Sequence, residues 1–225
     1  MEDVTVFGDP VVWQLSLAPI TRATLTALAV SLALVLVAAI LRWAILHRPG
    51  GYLAIIAVLA VEWPERLVTD IVGRAVPWLA VFSGTIFYFL AASTVAGQLP
   101  DVRTPTSNLA VTSALAVIVF LTVPAAGIRA HGVWGYLGHY LKPTPLMLPL
   151  EVLSELSRTF ALSMRLFGNM LSGYLIVALI VALVGLFVPA PLMALDLLIG
   201  FLQAYIFAVL STVYIGAALR AREEQ

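Results

Sequence analysis

Apolar residues run along this chain in long blocks broken by short polar stretches, and the block lengths predict its elements. From Ala23 to Leu41 there is no charged residue, and Arg42, His47 and Arg48 with a Pro49-Gly50-Gly51 turn close the block. A helix rises about 1.5 Å per residue and must cross ~30 Å of hydrocarbon, so ~20 apolar residues predict a transmembrane span. Two further spans are predicted within Ala75 to Leu99 and within Asn108 to Ala126, separated by Pro100 and the loop DVRTPTSN. A fourth helical pattern, Met147 to Leu186, would be ~60 Å long, about twice the hydrocarbon thickness, so it must tilt, bend or leave the lipid. VPAP makes the next turn, and a last helix is predicted from Leu192 to Arg220.

Two segments break this rhythm. In GYLAIIAVLAVEWPERLVTDIVGR the apolar run is short and gives way to Glu62, Glu65, Arg66, Thr69 and Asp70 at spacings of three and four. An amphipathic helix lying in the membrane interface or against a partner accounts for it better than a span, with Pro64 starting its second half. GIRAHGVWGYLGHYLKPTPLM, rich in Gly, His and Pro, reads as a surface connection.

Composition narrows the class. Of 225 residues 62% are hydrophobic and 11% charged, against roughly 45–50% and 25% in soluble domains. The fold class is an all-α polytopic membrane protein with five transmembrane helices and one interfacial helix. Net charge is zero, which gives no footprint for nucleic acid, and the absence of cysteine excludes disulfides and thiolate chemistry. Glu2, Asp3 and Asp9 stand where a signal peptide needs basic residues, so the first span is expected to be retained. With the N-terminus outside, the inner loops hold Arg42, Arg48, Arg66, Arg74, Arg129, Lys142, Arg220 and Arg222, and the outer side only Arg22 and Arg103. The positive-inside rule therefore expects the N-terminus outside and the C-terminus in the cytoplasm. Eleven arginines to one lysine hint at a GC-rich bacterial genome.

The fourth helix carries charge where lipid does not favour it. Glu151, Glu155, Arg158, Arg165, Asn169 and Ser172 fall within an arc of about 100°, one polar stripe along the helix. Glu155 and Arg158 can pair locally, but Arg165 has no acidic residue within a turn. A guanidinium at a helix centre costs at least ~2.5–3.5 kcal/mol and cannot shed its proton. Two readings stand: interhelical glue, paired with Asp196 or backbone carbonyls, or a fixed charge on an ion pathway. Gly168 and Gly173 would let another helix or chain come close. On the last helix Asp196, Gln203 and Tyr214 share a face. Asp196 is either a relay group or a cap at the helix's outer end, whereas mid-span Gln203 does not fit a cap.

The stretch PLMLPLEVLSELSRTFALSMRLFGNMLSGYLIVALI followed by LQAYIFAVLSTVYIGAAL resembles subunit a of the F-type ATP synthase membrane sector. The resemblance is strong over Pro143 to Leu219 and collinear from the first span through PTSNLAVT; ELSRT, MLSGY and GYLGHYLKPTP are most similar to the N-type branch. It implies a stator channel subunit with two offset half-channels, whose last two long tilted helices form a hairpin against a rotor ring of c subunits. Arg165 matches the family's arginine, Asn169 the asparagine one turn on, Gln203 the glutamine of the last helix and Glu151 the acidic residue of the cytoplasmic half-channel. Asn108 stands where the family often has Asp, Tyr174 where many members have Glu or His, and Asp196 where many have His or Glu. The resemblance also implies a subunit b peripheral stalk, the remaining ATP synthase subunits and lipid as partners, no cofactor, and a transported proton with sodium as the alternative.

Within a single membrane domain, 1–225, the expected parts are an external tail 1–19, peripheral helices 20–145 and the channel hairpin 146–222. No G-x-x-x-x-G-K-[ST] loop or metal-ligand constellation occurs, and His47, His131 and His139 fall in expected loops, so no catalytic or metal residue is assigned. A self-contained secondary transporter is the alternative, but the chain is short and shows no internal repeat.

Overall fold

The structure, a computed structural model, describes the backbone of residues 5–6, 9–15, 18–47, 50–99, 102, 104–140, 147–184 and 189–220. Side chains are described from residue 22 onward, apart from 131, 133–140, 147–149, 151, 152, 155, 174, 178, 184 and 189 within those segments. Six helices follow one another: α1 (Arg22–His47), α2 (Tyr52–Val72), α3 (Pro77–Ala96), α4 (Leu109–Tyr140), α5 (Met147–Val184) and α6 (Pro189–Arg220). Five stretches are long and apolar enough to cross a membrane: Arg22–His47, Pro77–Ala96, Leu109–Ala130, Leu156–Leu183 and Ala190–Arg220. The chain is thus an all-α polytopic membrane protein. Ahead of α1, where the sequence reads only as a tail, β1 (Thr5–Val6), β2 (Asp9–Leu15) and β3 (Ala18–Thr21) form a small antiparallel meander with Leu15 opposite Ala18. Its β-branched and aromatic residues, Val11, Val12 and Trp13, suit a strand.

α3 is the central helix, buried over half of its spanning window, whereas α1 is almost wholly exposed along its apolar length. One core cluster joins Val68 and Val72 of α2, Leu79 and Ala80 of α3, Val123 and Ala126 of α4, and Ile215, Ala218 and Leu219 of α6. A second, nearer mid-span, joins Ile86, Leu90 and Ala91 of α3, Val119 of α4, Leu162 and Leu166 of α5, and Ala204 and Phe207 of α6. Apolar side chains gain little from leaving lipid, so close fit holds such a bundle together, and small residues sit at its contacts. A Cβ on Gly84 would lie 2.8 Å from Pro64 Cγ, and one on Gly200 would strike Thr94 and lie 3.0 Å from Met170 Cε.

Three expectations change. Pro64 does not start a new half-helix; α2 passes through it, because Pro64 is buried against Gly84 and tertiary contacts hold the turn it weakens. α2 also divides lengthwise: Leu53, Ile55, Ile56, Val58, Leu59 and Val61 are exposed in its first half, and Glu65, Arg66 and Asp70 in its second, where Arg66 pairs with Glu62. GIRAHGVWGYLGHY is not an open connection, since helix resumes after a break at Gly132 (φ 73°, ψ 163°) and runs to Tyr140. Consequently His131 and His139 lie on helix backbone, their side chains outside the described set, and His47 is the last residue of α1.

Candidate functional site between α5 and α6

α5 and α6 run antiparallel in a defined register. The Arg158 guanidinium lies over the Tyr214 ring, 5.5 Å from its centroid; Leu166 shares a core cluster with Ala204; Met170 meets Gly200; and Gly173 meets Asp196. Each step advances about one to two turns on α5 and retreats about one to three on α6. Continued through the Leu166 and Ala204 level, this register brings Arg165 and Gln203 to one height, beside the same core.

Arg165 is exposed, and among the described residues it makes no ion pair or hydrogen bond. Its neighbours Leu162, Ser163 and Leu166 are buried. The polar stripe therefore runs along the edge between the face of α5 that enters the bundle and a face that the described residues leave uncovered. That open face is apolar, formed by Leu175, Ile176, Leu179 and Leu183 on α5, with Leu195, Leu198 and Leu202 exposed on α6. Gln203 is only 6% exposed and its Nε2 is buried without a partner among the described residues, as is Nδ2 of half-buried Asn169. Unpaired buried amide donors are costly, of the order of 1–3 kcal/mol each, so such a pair beside an arginine is poised to take an acceptor or water.

Geometry excludes two of the arrangements considered for Arg165 and Asp196. Asp196 lies two turns inside α6, which begins at Pro189, so it is not a cap. Its Oδ2 accepts a 3.2 Å hydrogen bond from Gln98 Nε2, and its carboxylate sits against Gly173 so tightly that a Cβ there would collide with Oδ1. Gly173 is eight residues beyond Arg165, about 12 Å along the helix, so Asp196 is not the partner of Arg165.

Several of the other candidate residues have local partners. Arg158 is spoken for by Tyr214; Ser172 Oγ donates to the Asn169 carbonyl at 3.0 Å. Asn108 is buried and precedes α4, with its Oδ1 accepting from Ala110 N at 2.9 Å, the geometry of a helix cap. The side chains of Glu151, Glu155 and Tyr174 lie outside the described residues, so their expected places on the stripe rest on helix backbone alone. Gln98 was not legible as a site residue: it follows α3 in a polar stretch before Pro100, where nothing in the spacing marks it.

Five spans, with Arg165 unpaired among the described residues on the open edge of a helical hairpin and level with a buried, unpartnered amide, define a polytopic membrane protein with a polar site between its last two helices. The family model described as ATP synthase A chain matches residues 23–216. The chain belongs to that family, the subunit a of F-type ATP synthases. It is 44% identical over 208 residues to "ATP synthase subunit a 2" of a Bradyrhizobium species, covering 89% of each chain. It is 44% identical over 181 residues to "ATP synthase subunit a 1" of Chlorobium luteolum, covering 80% of this chain and 79% of that one. With "ATP synthase subunit a" of Albidiferax ferrireducens it shares 46% identity over 142 residues, 63% of this chain and 62% of the other. Membership makes it a membrane-embedded stator subunit for ion transport in the ATP synthase complex.

Proposed function

We propose that this chain forms the stator side of the ion path of its ATP synthase and offers two offset half-channels to a ring of c subunits. The observation that carries the reading is Arg165, exposed and unpaired among the described residues, level with the buried, unpartnered Gln203 amide. A fixed cation lowers the free energy of an ionised rotor carboxylate as it passes, so the bound ion leaves before the passage and a new one loads only after it. Short circuit between the half-channels is thereby blocked. Arg165 acts without losing its proton, because guanidinium stays charged under any condition the cell offers. Gln203 and Asn169 donate to the passing carboxylate or to a water beside it, which keeps the encounter short of a permanent salt bridge.

Asp196 lines the outer half-channel, and Glu151 and Glu155 the cytoplasmic one, with Asn108, Ser172 and Tyr174 along the walls. The proton is the transported ion, because an internal carboxylate on the path suits proton relay; sodium is the competing outcome of the experiment below. The c ring rides on the open apolar face of α5 and α6, with subunit b and the other subunits holding the chain still. ATP chemistry belongs to those partners. In this reading the membrane is a bacterial inner membrane, the N-terminus lies outside and the C-terminus in the cytoplasm, in line with the arginine and lysine bias.

The test is ATP-driven ion uptake by proteoliposomes holding the whole complex, wild type beside Arg165→Ala, with sodium varied from trace to tens of millimolar at constant ionic strength, so that any response reports the transported ion rather than screening. Assembled Arg165→Ala complex that no longer pumps, with wild-type uptake indifferent to sodium, is the expected result. Undiminished pumping by the mutant would remove Arg165 from the path, and sodium-dependent uptake would replace the proton.

A further inference from the structure

We infer that Gln98 is a positioning residue for ion transfer at Asp196, holding that carboxylate in one rotamer and serving it in both protonation states. The inference rests on the reading that Asp196 lines the outer half-channel. Three elements converge there. Gln98 lies just beyond the end of α3, Asp196 two turns into α6, and Gly173 near the C-terminal end of α5. Gln98 Nε2 donates to Asp196 Oδ2 at 3.2 Å, and the carboxylate's other oxygen rests over Gly173. Pinned on one oxygen and bounded on the other, the carboxylate has little rotamer freedom left.

The choice of an amide has a chemical consequence. A lysine or arginine at position 98 would favour only the ionised acid, and an apolar residue would serve neither form. An amide both donates and accepts. When Asp196 is a carboxylate, Gln98 Nε2–H donates to it; when Asp196 is protonated, rotation of the amide presents Oε1 to accept the acid O–H. The transfer balances: during ATP-driven pumping the carboxylate takes a proton through water from a protonated rotor carboxylate, leaving that group ionised, and gives it to water in the outer half-channel as hydronium, returning to its starting state; synthesis runs the same steps in reverse. No electrons are exchanged.

Beyond charge, the amide's placement is fixed by local packing. Gln98 follows Gly97, whose backbone passes against Thr104 so closely that a Cβ there would collide with its side chain. Gly97 N bonds Ser93 O at 3.1 Å and Gln98 N bonds Val95 O at 3.1 Å. The end of α3 is therefore a firm mount.

The experiment uses the assembled complex in proteoliposomes and compares ATP-driven proton uptake for Gln98→Met, Gln98→Asn, Asp196→Asn and the two Gln98 variants combined with Asp196→Asn. Methionine keeps the length and bulk of glutamine with no donor and only a weakly accepting sulfur, whereas asparagine is smaller but keeps both donor and acceptor. A packing role ranks Met above Asn; a positioning role ranks Asn above Met, with Gln98→Met losing about tenfold in pumping rate, the scale of one hydrogen bond to a charged group. In the Asp196→Asn background the difference between Met and Asn should vanish. Asp196→Asn that pumps like wild type would sink the Asp196 reading itself. Impaired Asp196→Asn beside wild-type pumping by Gln98→Met, the opposite ranking, or failure of both Gln98 variants to assemble would overturn the role of Gln98 alone.

Discussion

The Tyr88 hydroxyl donates a 2.7 Å hydrogen bond to the carbonyl of Ala60, the acceptor in α2 that Pro64, having no N–H, cannot serve. The same proline lies against Gly84, one turn before Tyr88 on α3, so the break in one helix and its repair from the next form a single contact. Tyr88→Phe should lower the stability of the complex in detergent by about 1 kcal/mol, since it leaves a part-buried carbonyl unpaired. Pro64→Ala supplies the missing N–H. Thermal unfolding of the two single variants and the double should then show that Tyr88→Phe costs nearly nothing once Pro64 is gone; equal costs in both backgrounds would mean that the bond contributes nothing specific.

That contact also shows what a sequence reading loses. The block lengths carry the five spans, because the hydrocarbon thickness imposes a length on each of them and leaves few alternatives. Pro64 misled because a proline is judged by its own helix, while Tyr88 and Gly84, which make it tolerable, are 20 or more residues away. The same holds at the site. Arg165, Asn169 and Gln203 stand out as polar residues within apolar runs, and their presence was legible from burial cost alone. Gln98 sits in a polar stretch where an amide costs nothing, so only the tertiary hydrogen bond to Asp196 marks it. Asp196 was legible as an intramembrane carboxylate, but whether it caps α6 was not, because that depends on the helix beginning at Pro189.

The two glycines of the α5 stripe should behave differently. A Cβ on Gly173 would meet the Asp196 carboxylate, with Asp196 Cγ at 2.8 Å, whereas nothing within the described chain lies within 4 Å of one on Gly168. Gly173→Ala is expected to displace Asp196 and cut ATP-driven pumping in step with Asp196→Asn. Gly168→Ala should leave the isolated chain no less stable, and up to about 1 kcal/mol more so, because alanine loses less backbone freedom than glycine in a helix interior. Loss of pumping by a stable Gly168→Ala chain would locate a partner on that surface; loss of its stability would contradict the open geometry.

Gly200 supplies a further contrast away from the charges. Its Cβ would strike the Thr94 side chain and lie 3.0 Å from Met170 Cε, the first a rigid, buried β-branched group and the second the flexible end of a methionine. Gly200→Ala should therefore destabilise by about 1–3 kcal/mol, the cost of overpacking. Thr94→Ser, which removes the colliding methyl, should recover part of it. Melting temperatures of the single and double variants decide the matter: a double no more stable than Gly200→Ala alone would show that Thr94 is not the obstacle.

The sharpest separation lies between the two arginines of one helix. Arg158 and Arg165 are two turns apart on the same stripe, both exposed, yet Arg158 is drawn over the ring of Tyr214 while Arg165 makes no ion pair, hydrogen bond or ring contact among the described residues. A cation against an aromatic face contributes about 0.5–1 kcal/mol at an exposed site, so Arg158→Leu should cost that much stability and leave coupled pumping close to wild type. Arg165→Leu should do the reverse, removing a charge that insertion disfavours by ~2.5–3.5 kcal/mol while abolishing pumping. Stability and pumping measured side by side on both variants therefore cross over. If Arg158→Leu also stopped pumping in an intact complex, the path would extend along the stripe to Tyr214, and the cation over the ring would be part of the conducting surface rather than the packing of the hairpin.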